Sequence, residues 1–301
     1  MEEVHYLNRA TGKIEVENIY GENWLRFTYE KPIGKFFLWL LVKRKLFSAW
    51  YGYRANSSHS KSKIQPFIEK FKVNQNEFLD LSKNFQTFNE FFYRKLKPEA
   101  RPIDEGKHAV VFPADGRHLG FQDISKVNGI YVKGQSFDLK SFLQSSQLAK
   151  IFEGGSLVIS RLCPVDYHRF HFPAKGEYKN THVINGSLYS VSPIALKKNI
   201  SFFWQNKRYL SVLASKSLGQ MAQVAVGATC VGSAKFTIDD YKEVKKGDEW
   251  GYFSFGGSCV ITLFEKDKVS LAQDLLDASD KGLELYAKMG EIMGTQKISI
   301  D

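Results

Sequence analysis

Beyond Arg101-Pro102 this chain is cut into short apolar runs. Residues 109–112, 129–132, 156–162, 209–214, 221–226 and 259–264 are each apolar stretches separated by Gly, Asn and Asp. Runs this short are poor helices, because a helix needs three or four turns to bury a face. Bounded by turn formers, they read as strands joined by tight turns. The first hundred residues have a different character. Residues 34–50 read as a helix, and residues 87–95 place Phe88, Phe91 and Phe92 at helical spacing behind Thr87, a suitable N-cap. Residues 55–63 are Ser-rich and polar and read as a loop. The expectation is an α+β chain: an N-terminal helical region, residues 1–100, packed on a β-rich catalytic core of short strands and hairpins, residues 101–301.

Charge and cysteine placement narrow the function. Cys163, Cys230 and Cys259 form no close pair and no CxxC, which argues against a disulfide framework or a thiolate zinc site. The N-terminus lacks the basic start and apolar core of a signal peptide, and no stretch reaches about 18 apolar residues. The net charge is +10, and residues 31–68 hold eight Lys or Arg but no Asp or Glu. Phe36, Phe37, Trp39, Phe47, Trp50, Tyr51 and Tyr53 lie among those bases. Such a segment suits the surface of an anionic bilayer, where apolar rings sink and lysines stay at the headgroups. A core helix with a basic outer face is the alternative. Nucleic acid is not expected, since no motif for it accompanies the charge.

Three segments carry groups that can do chemistry. Gly256-Gly257-Ser258 heads the last apolar run, and a serine behind two glycines can attack an external acyl group or the carbonyl of Gly257 itself. Asp115 lies in the turn sequence Pro113-Ala114-Asp115-Gly116. Between Arg161 and His171 stand Arg161, Asp166, His168, Arg169 and His171, an unusual density of ionisable groups. His168 and His171 suit acid–base work better than metal binding, since no Glu stands in an HExxH-like frame. Alone, Ser258 and Asp115 read as ordinary turn residues. A weak repeat, Gly247-Asp248-Glu249-Trp250-Gly251 and Gly290-Glu291-Ile292-Met293-Gly294, flanks Ser258 and suits two similar tight turns.

Taken together these segments resemble the phosphatidylserine decarboxylase family of self-processing pyruvoyl enzymes. The resemblance runs from Tyr6-Leu7-Asn8-Arg9-Ala10-Thr11-Gly12 through Phe88-Asn89-Glu90-Phe91-Phe92-Tyr93-Arg94-Lys95-Leu96 and Arg101-Pro102-Ile103. It includes Asp166-Tyr167-His168-Arg169-Phe170-His171 and Val226-Gly227-Ala228, and closes at Gly251-Tyr252-Phe253-Ser254-Phe255-Gly256-Gly257-Ser258. The N-terminal part with residues 57–60 is similar to the longer bacterial subtype. The resemblance implies a triad in which Asp115 orients His171, and His171 takes the proton of Ser258. It implies cleavage between Gly257 and Ser258 into chains of residues 1–257 and 258–301, with Ser258 becoming a covalent pyruvoyl cofactor and no metal. That ketone would form a Schiff base with phosphatidylserine, release carbon dioxide and yield phosphatidylethanolamine, with His168 returning a proton to the carbon. It also implies a peripheral enzyme on the cytoplasmic face of the cell membrane, its two chains held non-covalently, and leaves a homodimer open.

Two positions depart from the family pattern: Cys259 replaces a usual Thr, and Lys207 replaces a usual Glu. The thiol, a weaker hydrogen-bonding group, implies slower processing. Two other readings stay open at this stage. One is a serine hydrolase using the same residues without self-cleavage, although the Gly-x-Ser-x-Gly elbow is missing. The other is a basic lipid-binding module with no catalysis.

Overall fold

The computed structural model describes residues 3–38, 50, 52–127, 137–228, 234–256 and 258–298. It is an α+β fold built on one large sheet. Ten strands lie in the spatial order Lys242–Val244, Gly176–Ile184, Arg208–Ser215, Gly219–Val226, Ser258–Phe264, Ser156–Leu162, Gly116–Phe121, Glu284–Ala287, His5–Asn8 and Lys13–Val16. All neighbours are antiparallel except His5–Asn8, which runs parallel to Glu284–Ala287. The strand that begins at Ser258 is central. Its apolar sequence follows from burial on both faces, with every residue inaccessible to solvent.

The alternation along that strand separates two cores. Cys259, Ile261 and Leu263 enter one with Phe142, Phe152, Leu196 and Phe203. Val260 and Phe264 enter the other with Phe170, Phe172, Trp250 and Phe253. By the same period of two, Ser258 shares the face of Val260. Against this face lies a three-stranded sheet of Ala234–Phe236, Glu249–Phe253 and Arg169–His171, which contributes Phe170, Trp250 and Phe253 to the shared core. A second small sheet joins Val269–Leu271, Ile292–Gln296 and Ala109–Val111.

The phenylalanines of the first hundred residues make a third core. Phe67, Phe78, Phe85, Phe88, Phe91 and Phe92 pack together and enclose Phe255, three residues before the serine. Thr87 caps the helix Phe88–Phe92 by accepting from the Glu90 amide, as its position suggests. The N-terminal region is not helical throughout, however. Residues 5–16 form a hairpin on the edge of the main sheet, because Glu284–Ala287 has an open edge that only a distant segment can pair. The Ser-rich stretch expected as a loop contains the 3-10 helix Ser58–Lys63, stitched by the Ser60 hydroxyl to the carbonyls of Ala55 and Ser57. Helix Pro32–Phe37 matches the start of the 34–50 segment. Residues 39–49 of that segment, the run 129–132, and Gly257 lie outside the described residues. No helix among the described residues is long and apolar enough to cross a membrane.

The two Gly-acid-x-x-Gly segments are structurally alike. Gly247 and Gly290 have φ of 85° and 90°, and a Cβ on either would press into Ile103. Each leads into a strand whose pairing register slips just after it, at Glu249 and at Ile292. A buried ionic network ties distant parts of the chain beneath the main sheet. Arg161 donates to Glu17 and Glu284 at 2.5 Å each, and Arg117 donates to Asp166 at 2.8 Å.

Candidate active site

Ser258 is fully buried, and its Oγ has no hydrogen-bond partner among the described residues. Buried hydroxyls are nearly always satisfied, so an orphan at a strand head beside ionisable groups is a candidate for chemistry. Backbone geometry just before it is special: Gly256 has φ 141°, a region in which glycine is favoured. The segment is gripped from the aromatic core. The Phe255 amide donates to Asn89 Oδ1 at 2.7 Å, and the Phe255 ring meets Phe88 and Phe92 edge-on. Asn89, buried inside a phenylalanine helix, therefore positions the approach to Ser258. Sequence reasoning did not single it out, although a lone amide in a Phe-rich run is a signal for a buried polar task.

His168 lies against the same segment. Its carbonyl accepts the Phe253 amide at 3.0 Å, and its ring lies tilted by 38° against Phe92 with centroids 3.8 Å apart. Nδ1 is 2.9 Å from the Asp166 carbonyl, which can only accept, so Nδ1 carries the proton. Nε2 therefore holds a lone pair, buried and without a partner among the described residues. Burial pushes this imidazole down to about 3, with the charge of Arg94 adding to the effect, so it rests neutral.

His171 sits on the histidine strand next to the Pro-Ala-Asp-Gly turn, its amide donating to the Pro113 carbonyl at 2.7 Å. Its Nδ1 donates to the Gly247 carbonyl at 2.9 Å, so the first of the repeated turns sets its tautomer. Its Nε2 accepts from the Tyr167 hydroxyl at 3.3 Å. Burial pushes His171 down, while the Gly247 carbonyl and the carboxylates of Glu249 and Asp115 work against it.

Asp115 is brought beside His171 by the backbone, but the two side chains are not hydrogen-bonded. The Asp115 carboxylate takes Arg101 Nε at 2.8 Å, Arg101 Nη2 at 2.5 Å and the Met289 amide at 2.9 Å. Here the sequence expectation differs from the structure: Gly247 orients His171, and Asp115 acts on it only through space. A fully buried carboxylate needs a paired cation, and Arg101 is the one the fold delivers. Arg101, Tyr167 and Gly247 were each inside quoted motifs, but nothing in the sequence marks a guanidinium for a given carboxylate.

Cys259 points into the opposite core from Ser258, so the thiol that replaces threonine stands away from the hydroxyl. Lys207 lays its ammonium over the Tyr209 ring at 5.0 Å, a cation–π contact in place of an acidic side chain at that position.

Two cavities flank the site. One of about 450 Å³ is walled by Trp24, Leu25, Tyr29 and Val191, with Arg161 and Cys163 among its lining, and it reaches Phe255 and Gly256. The other, about 290 Å³, is polar and lined by Asp115, Asp166 and Tyr167 among others. An apolar cavity that ends at Phe255 and Gly256, two residues before Ser258 in the chain, can hold an amphiphile with its polar end at that segment.

Comparison with known proteins agrees with this chemistry. Residues 88–295 match the family model described as phosphatidylserine decarboxylase. The phosphatidylserine decarboxylase proenzyme of Fusobacterium nucleatum is 42% identical over 98% of this chain and 99% of its own length. The proenzymes of Clostridium kluyveri and Clostridium novyi are each 43% identical over 97% of this chain, covering 98% and 99% of their own lengths.

Proposed function

Because this chain belongs to the phosphatidylserine decarboxylase family and is a decarboxylase, we propose that it is made as a precursor that cuts itself between Gly257 and Ser258. The processed enzyme then turns phosphatidylserine into phosphatidylethanolamine. The observation that carries the proposal is the buried, unpartnered Ser258 hydroxyl behind a left-handed Gly256. Ser258 Oγ gives its proton to His171 Nε2 once that nitrogen parts from the Tyr167 hydroxyl, and attacks the Gly257 carbonyl carbon. The peptide C–N bond breaks and an ester forms. Loss of the Ser258 α proton expels the Gly257 carboxylate and leaves a dehydroalanine. Addition of water and loss of ammonia convert that end into a pyruvoyl ketone.

The ketone supplies the sink for the electron pair left when carbon dioxide departs. The surrounding residues fit this use: they are buried, and the His168 Nε2 lone pair has no partner among the described residues. His168, neutral at rest, hands a solvent-derived proton to the carbon once carbon dioxide has left. The larger cavity holds the lipid's polar end beside Gly256. After cleavage the two chains stay together, because Ser258–Phe264 is paired on both sides and Glu284–Ala287 lies between two strands of the large chain.

The basic aromatic segment, residues 31–53, docks the enzyme on the cytoplasmic face of the cell membrane. Supporting this, Ile33, Phe36, Trp50 and Tyr53 are exposed, and each Lys or Arg near an anionic leaflet contributes about 1 kcal/mol. Neutralising Lys43, Arg44 and Lys45 should weaken liposome binding, and unchanged binding would rule the segment out.

One observation favours a second assignment of roles. Among the described residues the His168 Nε2 has no partner and the His171 Nε2 is occupied, so His168 is the alternative base for Ser258. Intact mass under denaturing conditions tests both points. Self-cleavage leaves two chains meeting at Gly257 and Ser258, the smaller one blocked at its N-terminus, whereas a single chain of 34.4 kDa refutes it. Whichever of His168→Ala and His171→Ala blocks cleavage identifies the base.

A further inference from the structure

We propose that the polar cavity of about 290 Å³ is a binding site for a phosphate group, with Arg94 and Lys72 as its cationic partners. Arg94 is 5% exposed, and no carboxylate among the described residues lies within ion-pair distance of it. Its Nη1 makes one long bond of 3.4 Å to the Phe91 carbonyl, and its Nε makes none. The guanidinium plane is covered by the Phe78 and Phe91 rings at 4.9 and 5.0 Å. A buried guanidinium with unused donors is costly unless something accepts from it. Its planar fork of donors suits the oxygens of a phosphate.

The other buried cations of this cavity are already engaged. Arg101 is taken by Asp115 and Glu77, and Arg117 by Asp166 and Glu17. Lys288 reaches Glu77 at 3.5 Å, which leaves Arg94 and Lys72 without an acidic partner among the described residues. Lys72 is exposed, follows helix Ile64–Phe71 in a left-handed conformation, and has no acidic partner among the described residues. Two unpaired cations from separate elements call for a ligand with several anionic oxygens spread in space, which a phosphate group provides. The site also reaches the catalytic centre, since Val165 lines both cavities and the charge of Arg94 disfavours the protonated form of His168. An anion held on Arg94 would offset that charge.

The phosphate can be free or part of a lipid headgroup, and calorimetry separates the two. The purified full-length enzyme is titrated with sodium phosphate, with chloride at matched ionic strength as control, and then with soluble short-chain phosphatidylglycerol. The expected result is saturable phosphate binding that weakens about tenfold in Lys72→Ala, the scale of one charge-assisted hydrogen bond, and that is lost in Arg94→Gln. Lys72 is exposed, so its variant carries the test even if Arg94→Gln fails to fold. Competition by the soluble lipid assigns the site to a headgroup, and phosphate binding without competition assigns it to free phosphate. Heats no greater than the chloride control for both titrants would overturn the proposal, as would equal affinity in Lys72→Ala. None of these outcomes depends on self-cleavage.

Discussion

Replacing Glu17 by Gln tests whether the buried ionic network stabilises the fold through charge. Glu17 is buried and accepts from Arg161 at 2.5 Å and from the Cys163 thiol at 3.2 Å, with Arg117 3.4 Å away. Burial alone pushes its carboxyl up. The charges of Arg161 and Arg117, and the hydrogen bonds of Arg161 and Cys163, outweigh burial and hold it at about 2, against an ordinary 4.5. A carboxylate held low in the folded state stabilises it above the unfolded value, and that contribution is lost as pH falls through the folded value. The window is therefore about pH 5 to pH 2, and the full linkage is worth about 3 kcal/mol. The assay is urea unfolding followed by tryptophan fluorescence, in a Ser258→Ala background so that one uncut chain unfolds. At pH 7 Glu17→Gln should be less stable by about 3 kcal/mol, and the difference should shrink to roughly 1 kcal/mol at pH 3. Other titrating groups are common to both chains and cancel in the difference. A difference that stays constant from pH 7 to pH 3 would refute the reasoning, because it would mean that packing rather than charge makes the contribution.

Further expectations bear on the site. Cys259→Thr should leave the cleavage rate within about twofold, because the side chain lies across the strand from Ser258; the same change should cost about 1–2 kcal/mol by burying a hydroxyl in an apolar core, read from urea midpoints. Gly247→Ala should destabilise by more than about 1 kcal/mol, since φ is 85° and the new Cβ would stand 2.8 Å from Ile103 Cγ1; it should also slow cleavage by moving the carbonyl that holds His171. His168 is pushed by burial from 6.5 to about 3, so below pH 6.5 the unfolded chain takes a proton that the folded chain refuses. Stability should therefore fall more steeply from pH 6.5 to pH 4 in the parent than in His168→Gln, and parallel curves would count against a neutral buried His168.

Much of the architecture was legible because it is written in short-range pattern. The apolar run at 156–162 became a strand with those bounds, and the runs at 221–226 and 259–264 became strands that each reach a residue or two further. Gly247 and Gly290 became matching turns because positive φ is a local demand. The crowding of His168, Arg169 and His171 marked a site because isolated ionisable groups rarely enter a core. What the chain alone could not settle was partner choice across long separations. Arg101 rather than His171 holds the Asp115 carboxylate, Gly247 orients His171, and residues 5–16 join a strand more than 260 positions away. Each of these outcomes is a competition to satisfy a buried charge, a lone pair or an open sheet edge, and the winner is whichever group the packed fold brings within about 3 Å. The sequence by itself determined which residues could be buried and which could react. The tertiary structure decided which of them meet, because hydrogen bonds and ion pairs act only over distances that folding creates.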